Sequence, residues 1–218
     1  MDDRVTPGLY LEMTDEPLDH YAATRVPELL AQPGVERATW WENVHRDRTD
    51  LPRVLPEFSH LGIYEVAPGF LAPDPAPDTL VGAHHFVRTP RPGQGTISGK
   101  PTIGLSLVLI SPEEESRAQE LRDWADFVHI RHIAEASVPG YTMITPYVNA
   151  VPGGHPRFMH FYEMDCHNPE KAFKTMTPLV ISRFGGADHD YFRYWANGPS
   201  LKIMYVNSFR RVGVQERA

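Results

Sequence analysis

An ordered internal recurrence constrains this chain more than any other feature. Gly8-Leu9-Tyr10-Leu11 and Gly104-Leu105-Ser106-Leu107 share a Gly-Leu-x-Leu spelling. A helical stretch follows each, over Leu18 to Ala31 and over Pro112 to Ser137, and each runs into Pro-Gly, at Pro33-Gly34-Val35 and at Pro139-Gly140-Tyr141. Proline cannot continue a helix and glycine accepts the left-handed conformation that closes one, so the dipeptide is a stop signal. Strands rich in aromatic and β-branched residues come next, Val35 to His45 and Tyr141 to Asn149. Phe58-Ser59-His60-Leu61 is then matched by Phe158-Met159-His160-Phe161, 100 residues further on. Thr79 to Arg88 and Leu201 to Arg211 read as closing strands. Four matches in one order point to duplication.

Read twice, the order β, α, β, β, (α), β is the split βαβ pattern of ferredoxin-like modules. Pro and Gly cluster at Pro68 to Pro77 and at Pro90 to Pro101, and the second cluster, flexible and without periodicity, reads as a linker. The expected organisation is a first module over residues 1–90, a linker over 91–101 and a second module over 102–218. The second half has helical stretches at Pro169 to Arg183 and Asp190 to Asn197 where the first has only the proline-rich run, so the first module's second helix is expected to be degenerate.

With its helix ending His132-Ile133-Ala134-Glu135-Ala136-Ser137-Val138-Pro139-Gly140-Tyr141 and the Phe158-x-His160 strand, the chain resembles the dimeric α+β barrel superfamily, particularly its EthD-like and antibiotic-biosynthesis-monooxygenase-like members. The resemblance implies an α+β fold in which two tandem ferredoxin-like sheets face each other and close a barrel around a small cavity, here within one chain. Some members of the superfamily hold haem through a helix histidine. By resemblance, His129 or His132 would be the residue to consider.

Composition bounds the partners. A formal charge of −7 with 21 scattered Lys and Arg residues argues against a nucleic-acid footprint, which needs a clustered basic surface. Forty-one per cent hydrophobic residues is ordinary for a packed core, and no apolar run approaches the ~18 residues of a membrane span. One cysteine, Cys166, cannot form an internal disulfide, and Met1-Asp2-Asp3-Arg4 does not start like a secretory leader, so a cytoplasmic location is the expectation. A homodimer is compatible with the superfamily resemblance.

Strand alternation separates two faces, since successive side chains point to opposite sides. Met159 and Phe161, like Leu61 and Ile63, form an apolar set expected to pack on the helices. Phe158, His160 and Tyr162, like Phe58, His60 and Tyr64, form a mixed aromatic and histidine set expected to look into the barrel. Tyr10 and Glu12 alternate with Leu9, Leu11 and Met13, and Glu12 is read either as pointing inward or as lying in water at a strand end. Trp41 and Trp40 take opposite faces, Trp41 as a cavity wall in one of the two assignments. Such a lining, apolar bulk with a few placed polar groups, is what a small-molecule cavity needs.

The chain has 11 histidines. His132 falls at the end of the buried helix stripe Leu121, Ala125, Val128, and imidazole titrates near neutrality, so it can act as a general base or simply satisfy the helix C-terminus. His60, His160 and His132 are the candidate acids or bases and Tyr162 the hydrogen-bonding partner. Glu12, Tyr10, Trp41, Tyr64, His85 and Phe158 are secondary or lining candidates. His129-x-x-His132 could hold a divalent ion given a third ligand, but His84 and His85 face apart and no HExxH or Cys/His framework is present, so no metal is expected. A Gly-x-Ser-x-Gly elbow and a P-loop are both missing, and the strand neighbours Cys166 and His167 face apart. The leading expectation is an enzyme needing no cofactor that acts on a small aromatic or polyketide-like carbonyl compound as a lyase, cyclase, decarboxylase or isomerase. The rivals are a cofactor-free monooxygenase or haem-binding oxidative enzyme, and a non-catalytic module that binds a small apolar ligand.

Overall fold

Each half folds into a four-stranded antiparallel sheet with one strand order. In the computed structural model, which describes residues 1–2, 4, 6–73 and 78–217, the first half contains β1 (Gly8–Thr14), α1 (Leu18–Leu30), β2 (Val35–Asn43), β3 (His60–Val66) and β4 (Leu80–Arg88). A two-residue strand β5 (Gln94–Gly95) follows in the inter-module segment. The second half contains β6 (Gly104–Pro112), α2 (Ala118–Trp124), a π-helical turn (Ala125–His129), α3 (Ile130–Glu135), β7 (Tyr141–Asn149), β8 (Phe158–Met164), α4 (Pro169–Phe184), α5 (Asp190–Ala196) and β9 (Leu201–Glu216). Of the Pro68 to Pro77 run, residues 74–77 lie outside the described set.

The strands run β4-β1-β3-β2 in one half and β9-β6-β8-β7 in the other, and β2 pairs with β9 while β4 pairs with β7. These two seams close eight strands into an antiparallel barrel, with β5 added beside β7. Closure removes the exposed edges that a lone four-stranded sheet would leave. The fold is therefore the tandem ferredoxin-like α+β barrel, its two modules expected from the recurrence and its closure from the superfamily resemblance. The segment 91–101 is more than a tether, because Gln94 pairs with Ile144 and Gly95 with Met143.

Local chemistry accounts for the helix ends. Pro169 opens α4, where a missing N–H costs nothing, and the Asn168 side chain accepts from the Lys171 amide at 2.9 Å. Gly185 closes α4 at φ 84°, a left-handed conformation that a side chain would strain. No helix among the described residues is long and apolar enough to cross a membrane.

Apart from Phe58, which packs in the barrel as expected, the assignment of faces is the reverse of the expectation. Leu9, Leu11, Met13, Leu61, Ile63, Leu105, Leu107, Leu109, Met159 and Phe161 form one buried cluster that fills the barrel, together with Trp41. An eight-stranded barrel is just wide enough for side chains to fill, and apolar groups fill it without leaving polar atoms unpaired. Tyr10 and Tyr64 instead pack under α1, Tyr162 packs under α3 and α4, and Phe158 packs under α2. Polar groups find partners on that outer side, as Tyr64 does in the Tyr21 hydroxyl and His160 in Asp126.

The two halves also align differently from the Phe-x-His match. Gly8 stands opposite Val66 and Gly104 opposite Met164, which equates Tyr64-Glu65 with Tyr162-Glu163 along the ladders. On that register Gly62, opposite Glu12, corresponds to His160, opposite Val108, and His60 corresponds to Phe158. His60 and His160 are therefore not equivalent. A shift of two residues keeps the face but changes the partner.

Candidate active site

A cavity of about 400 Å³ lies between the outer face of the second sheet and its helices. Val108, His160, Tyr162 and Val206 form its floor, and Trp124, Phe173, Phe192 and Trp195 are its aromatic walls. The site is thus outside the barrel, in the second half. Asp50 and Leu51 of the first half reach over to line it, on the segment between β2 and β3. The Arg48 guanidinium anchors that segment by bonding Asp50 at 3.1 Å, pairing with Glu170 of α4 and lying over the Phe173 ring.

His160 is buried, and its Nε2 lies 2.8 Å from Asp126 Oδ1. A carboxylate can only accept, so Nε2 carries the proton and Nδ1 is the basic nitrogen. Nδ1 has no protein hydrogen-bond partner among the described residues, and the imidazole lines the cavity. Asp126 is itself held: Arg91 Nη1 donates to its Oδ2 at 3.1 Å, and Arg122 Nε stands 3.7 Å from the same oxygen. The π-helical turn presents Asp126, Ala125 and His129 to the sheet side. Such turns are rare and concentrate at functional sites.

His129 joins the helical layers. Its ring stacks on Trp195 at 4.7 Å and 9°, and its Nδ1 bonds the Trp195 carbonyl at 3.1 Å. Trp195 Nε1 returns a bond to the His129 carbonyl at 3.0 Å, and Trp124 Nε1 donates to the Tyr194 carbonyl at 3.0 Å. Burial pushes the His129 imidazole down to about 4, because a cation among indole rings loses its hydration. At neutral pH it is an uncharged hydrogen-bonding group. Burial likewise pushes the Tyr162 phenol above its ordinary range, so its hydroxyl stays protonated and able to donate.

Of the residues expected to be catalytic, His160 and Tyr162 meet at this cavity. His60 does not: its Nδ1 lies 2.8 Å from the Glu16 carbonyl in the first half. His132 packs edge-on against Phe184, with Glu135 3.2 Å from its Nδ1, and is not part of the lining. Glu12 is neither in the barrel nor in water. It accepts from Tyr21 Oη at 2.9 Å and pairs with Arg25 at 2.6 Å beneath α1. Tyr64 Oη meets Tyr21 Oη at 2.7 Å in the same network, and Tyr10 packs beside it on Phe70. His85 lies edge-on to Phe70, and Trp41 is inside the barrel with Nε1 bonded to Thr39 at 2.9 Å. Asp126, Trp124, Trp195 and Arg91 were not anticipated. The one signal for Asp126 was its position between Ala125 and Val128 of the buried helix stripe. No cluster of three or more metal-ligating side chains occurs among the described residues.

Fold and site together describe a single-chain α+β barrel of the dimeric-barrel class with a helix-covered cavity in its second half. No protein-family model matches the chain, and no curated protein matches it. Solved structures do match. An anthrone oxidase-like protein is 11% identical with a TM-score of 0.58 over 100% of this chain and 95% of that one. A candidate monooxygenase from Lactobacillus acidophilus NCFM is 11% identical with a TM-score of 0.51 over 98% of each chain. At such identity the likeness is one of fold.

Proposed function

We propose that this chain is a cofactor-independent enzyme that removes a proton from carbon in a small, flat aromatic or polyketide-like carbonyl compound. The observation that carries this reading is the Asp126–His160 pair on the wall of an aromatic cavity. His160 Nδ1 takes the proton, and Asp126 steadies the imidazolium that forms. The electron pair left behind moves onto the substrate carbonyl oxygen, where the Tyr162 hydroxyl donates a hydrogen bond to the developing enolate. Trp124, Trp195, Phe173 and Phe192 give a flat ring system an aromatic, apolar surround, and about 400 Å³ falls within the range of small-molecule sites. The enolate then takes its proton back at another carbon, expels a leaving group or closes a ring, the isomerase, lyase and cyclase outcomes. Kinship with EthD-like or antibiotic-biosynthesis-monooxygenase-like proteins belongs to the same reading.

A second reading sends the enolate to dioxygen instead. Two solved structures with this fold are an anthrone oxidase-like protein and a candidate monooxygenase, which favours testing it. For an anthrone the reaction balances as substrate plus dioxygen giving the quinone plus water, the methylene carbon being oxidised by four electrons. If haem were bound, His129 would be the ligand, because its Nδ1 is tied to the Trp195 carbonyl and Nε2 is left over, whereas His132 lies away from the cavity. Iron would then supply the oxidative chemistry.

Anthrone serves as the probe. Turnover is followed by absorbance and by an oxygen electrode, in wild type and in His160→Ala. Loss of turnover in the variant with anthrone affinity retained supports a His160 base, and oxygen consumption selects the second reading. A Soret band on adding haem, with turnover only then, overturns the cofactor-independent reading. Binding without turnover across a panel of aromatic carbonyl compounds, unchanged in the variant, makes the cavity a non-catalytic binding site.

A further inference from the structure

We propose that Arg91, carried by the segment between the two modules, is the positioning residue for the His160 base and acts through Asp126. The inference rests on the reading of His160 as the base and adds the element that aims it. Asp126 has two carboxylate oxygens, one committed to His160 Nε2 at 2.8 Å and the other to Arg91 Nη1 at 3.1 Å. A carboxylate held at one oxygen alone can rotate about its Cβ–Cγ bond, and the imidazole would follow it. Held at both, it fixes the ring plane and keeps the proton on Nε2, which leaves Nδ1 basic toward the cavity.

Arg91 is built to hold still. The same Nη1 donates to the Arg122 carbonyl at 3.2 Å, Nη2 bonds Asp123 at 2.6 Å, and the guanidinium lies 4.8 Å from the Phe127 ring centre. Its contacts thus grip α2 at Arg122 and Asp123 and the π-helical turn at Asp126 and Phe127. The guanidinium is planar with donors in a fixed fork, so this grip sets an orientation that a point charge cannot. Arg122, 3.7 Å from the same Asp126 oxygen, adds charge without a hydrogen bond of that quality. The other charged or titratable groups around the pair are Asp123 on α2, His129 on the π-helical turn, Tyr162 on β8, Lys174 on α4 and Asp50 on the segment between β2 and β3. None of these hydrogen-bonds Asp126 among the described residues, so the aim of the dyad falls to a residue outside either module.

The test separates this role from turnover. Long-range proton–nitrogen NMR of the histidine rings reports which ring nitrogen carries the proton, with the His160 signal assigned by its absence in His160→Asn. In wild type, His160 is expected as the Nε2–H tautomer with a slowly exchanging ring proton. Arg91→Gln is expected to yield a tautomer mixture and a fast-exchanging proton, with kcat down ~10-fold or more and KM within ~2-fold. Arg91→Lys keeps charge but not the fork, and is expected to restore the fold fully and the tautomer only in part. An unchanged His160 signature in a folded Arg91→Gln or Arg91→Lys overturns the proposal, whatever the activity. A changed signature in a protein with no turnover on any aromatic carbonyl compound upholds the positioning role and removes the base reading instead. If Arg91→Gln does not fold, the Arg91→Lys spectrum decides alone: full wild-type character overturns the proposal.

Discussion

Gly62 and His160 occupy the same rung of two like sheets, and a tyrosine fills the space over the first while the aromatic-walled cavity opens over the second. A Cβ built on Gly62 would lie 1.9 Å from Tyr21 Oη, so the α1 tyrosine occupies the space above that rung. Tyr21 is fully buried there and bonded to Glu12 and Tyr64. In the second half an imidazole stands on the rung, and the helices above it leave room for a ligand.

Gly62→Ala should therefore destabilise the fold by ~2–3 kcal/mol, because Tyr21 must move and abandon its hydrogen bonds. For a chain of this size that is a fall of roughly 5–10 °C in Tm, measured by thermal melting. Adding Tyr21→Phe to Gly62→Ala removes the clashing atom and should recover part of the loss. A melt for Gly62→Ala equal to wild type would mean that Tyr21 does not fill this space.

Single alanine variants should rank the histidines. His160→Ala is expected to lower kcat by ~100-fold or more, while His60→Ala and His132→Ala stay within ~2–3-fold, since neither lines the cavity. Steady-state kinetics on whichever probe is turned over decides this. Equal losses in all three would place the chemistry elsewhere.

The barrel interior is expected to carry stability rather than activity. Leu107 is fully buried in the barrel cluster, and Leu107→Ala should cost ~2–5 kcal/mol by urea denaturation, with kcat nearly unchanged in the folded fraction. A barrel that bound substrate would show the opposite pattern.

Acid should weaken the fold before the carboxylates titrate. His84 and His129 are both pushed by burial from 6.5 down to about 4. Between those values the unfolded chain binds protons that the folded chain refuses, so stability falls as pH falls from 6.5 towards 4 and neither group contributes a slope above that window. Each adds at most ~1.4 kcal/mol per pH unit within it. Urea midpoints at pH 7 and pH 5 measure the loss. His84→Phe, at a site on the inward side of β4, should flatten the slope by about one proton.

The element order and the division into two modules were legible because they follow from local patterns, whereas the closure into a barrel was implied by the superfamily resemblance. Period-two alternation, Pro-Gly stops and an ordered recurrence do not depend on what packs where. The direction of the faces was not legible. Leu61 and Ile63 on one side of β3, with Gly62 and Tyr64 on the other, are both buried, since one side fills a barrel and the other lies under a helix. Alternation separates two such faces but cannot say which is inside. The Phe-x-His match misled for a related reason: a slip of two residues preserves every face, and the ladders, through Tyr64-Glu65 and Tyr162-Glu163, set the true register.

The recurrence alone determined that this chain makes two ferredoxin-like modules, because hydrophobic period and helix stops act over a few residues at a time. The tertiary structure decided that the barrel is filled, that the cavity lies outside it in one half, and that Asp126 and Arg91 stand behind His160. Those depend on side chains 34 and 35 residues apart in sequence meeting across a sheet, a π-helical turn and a connecting segment, and distance in space is what a one-dimensional pattern does not encode.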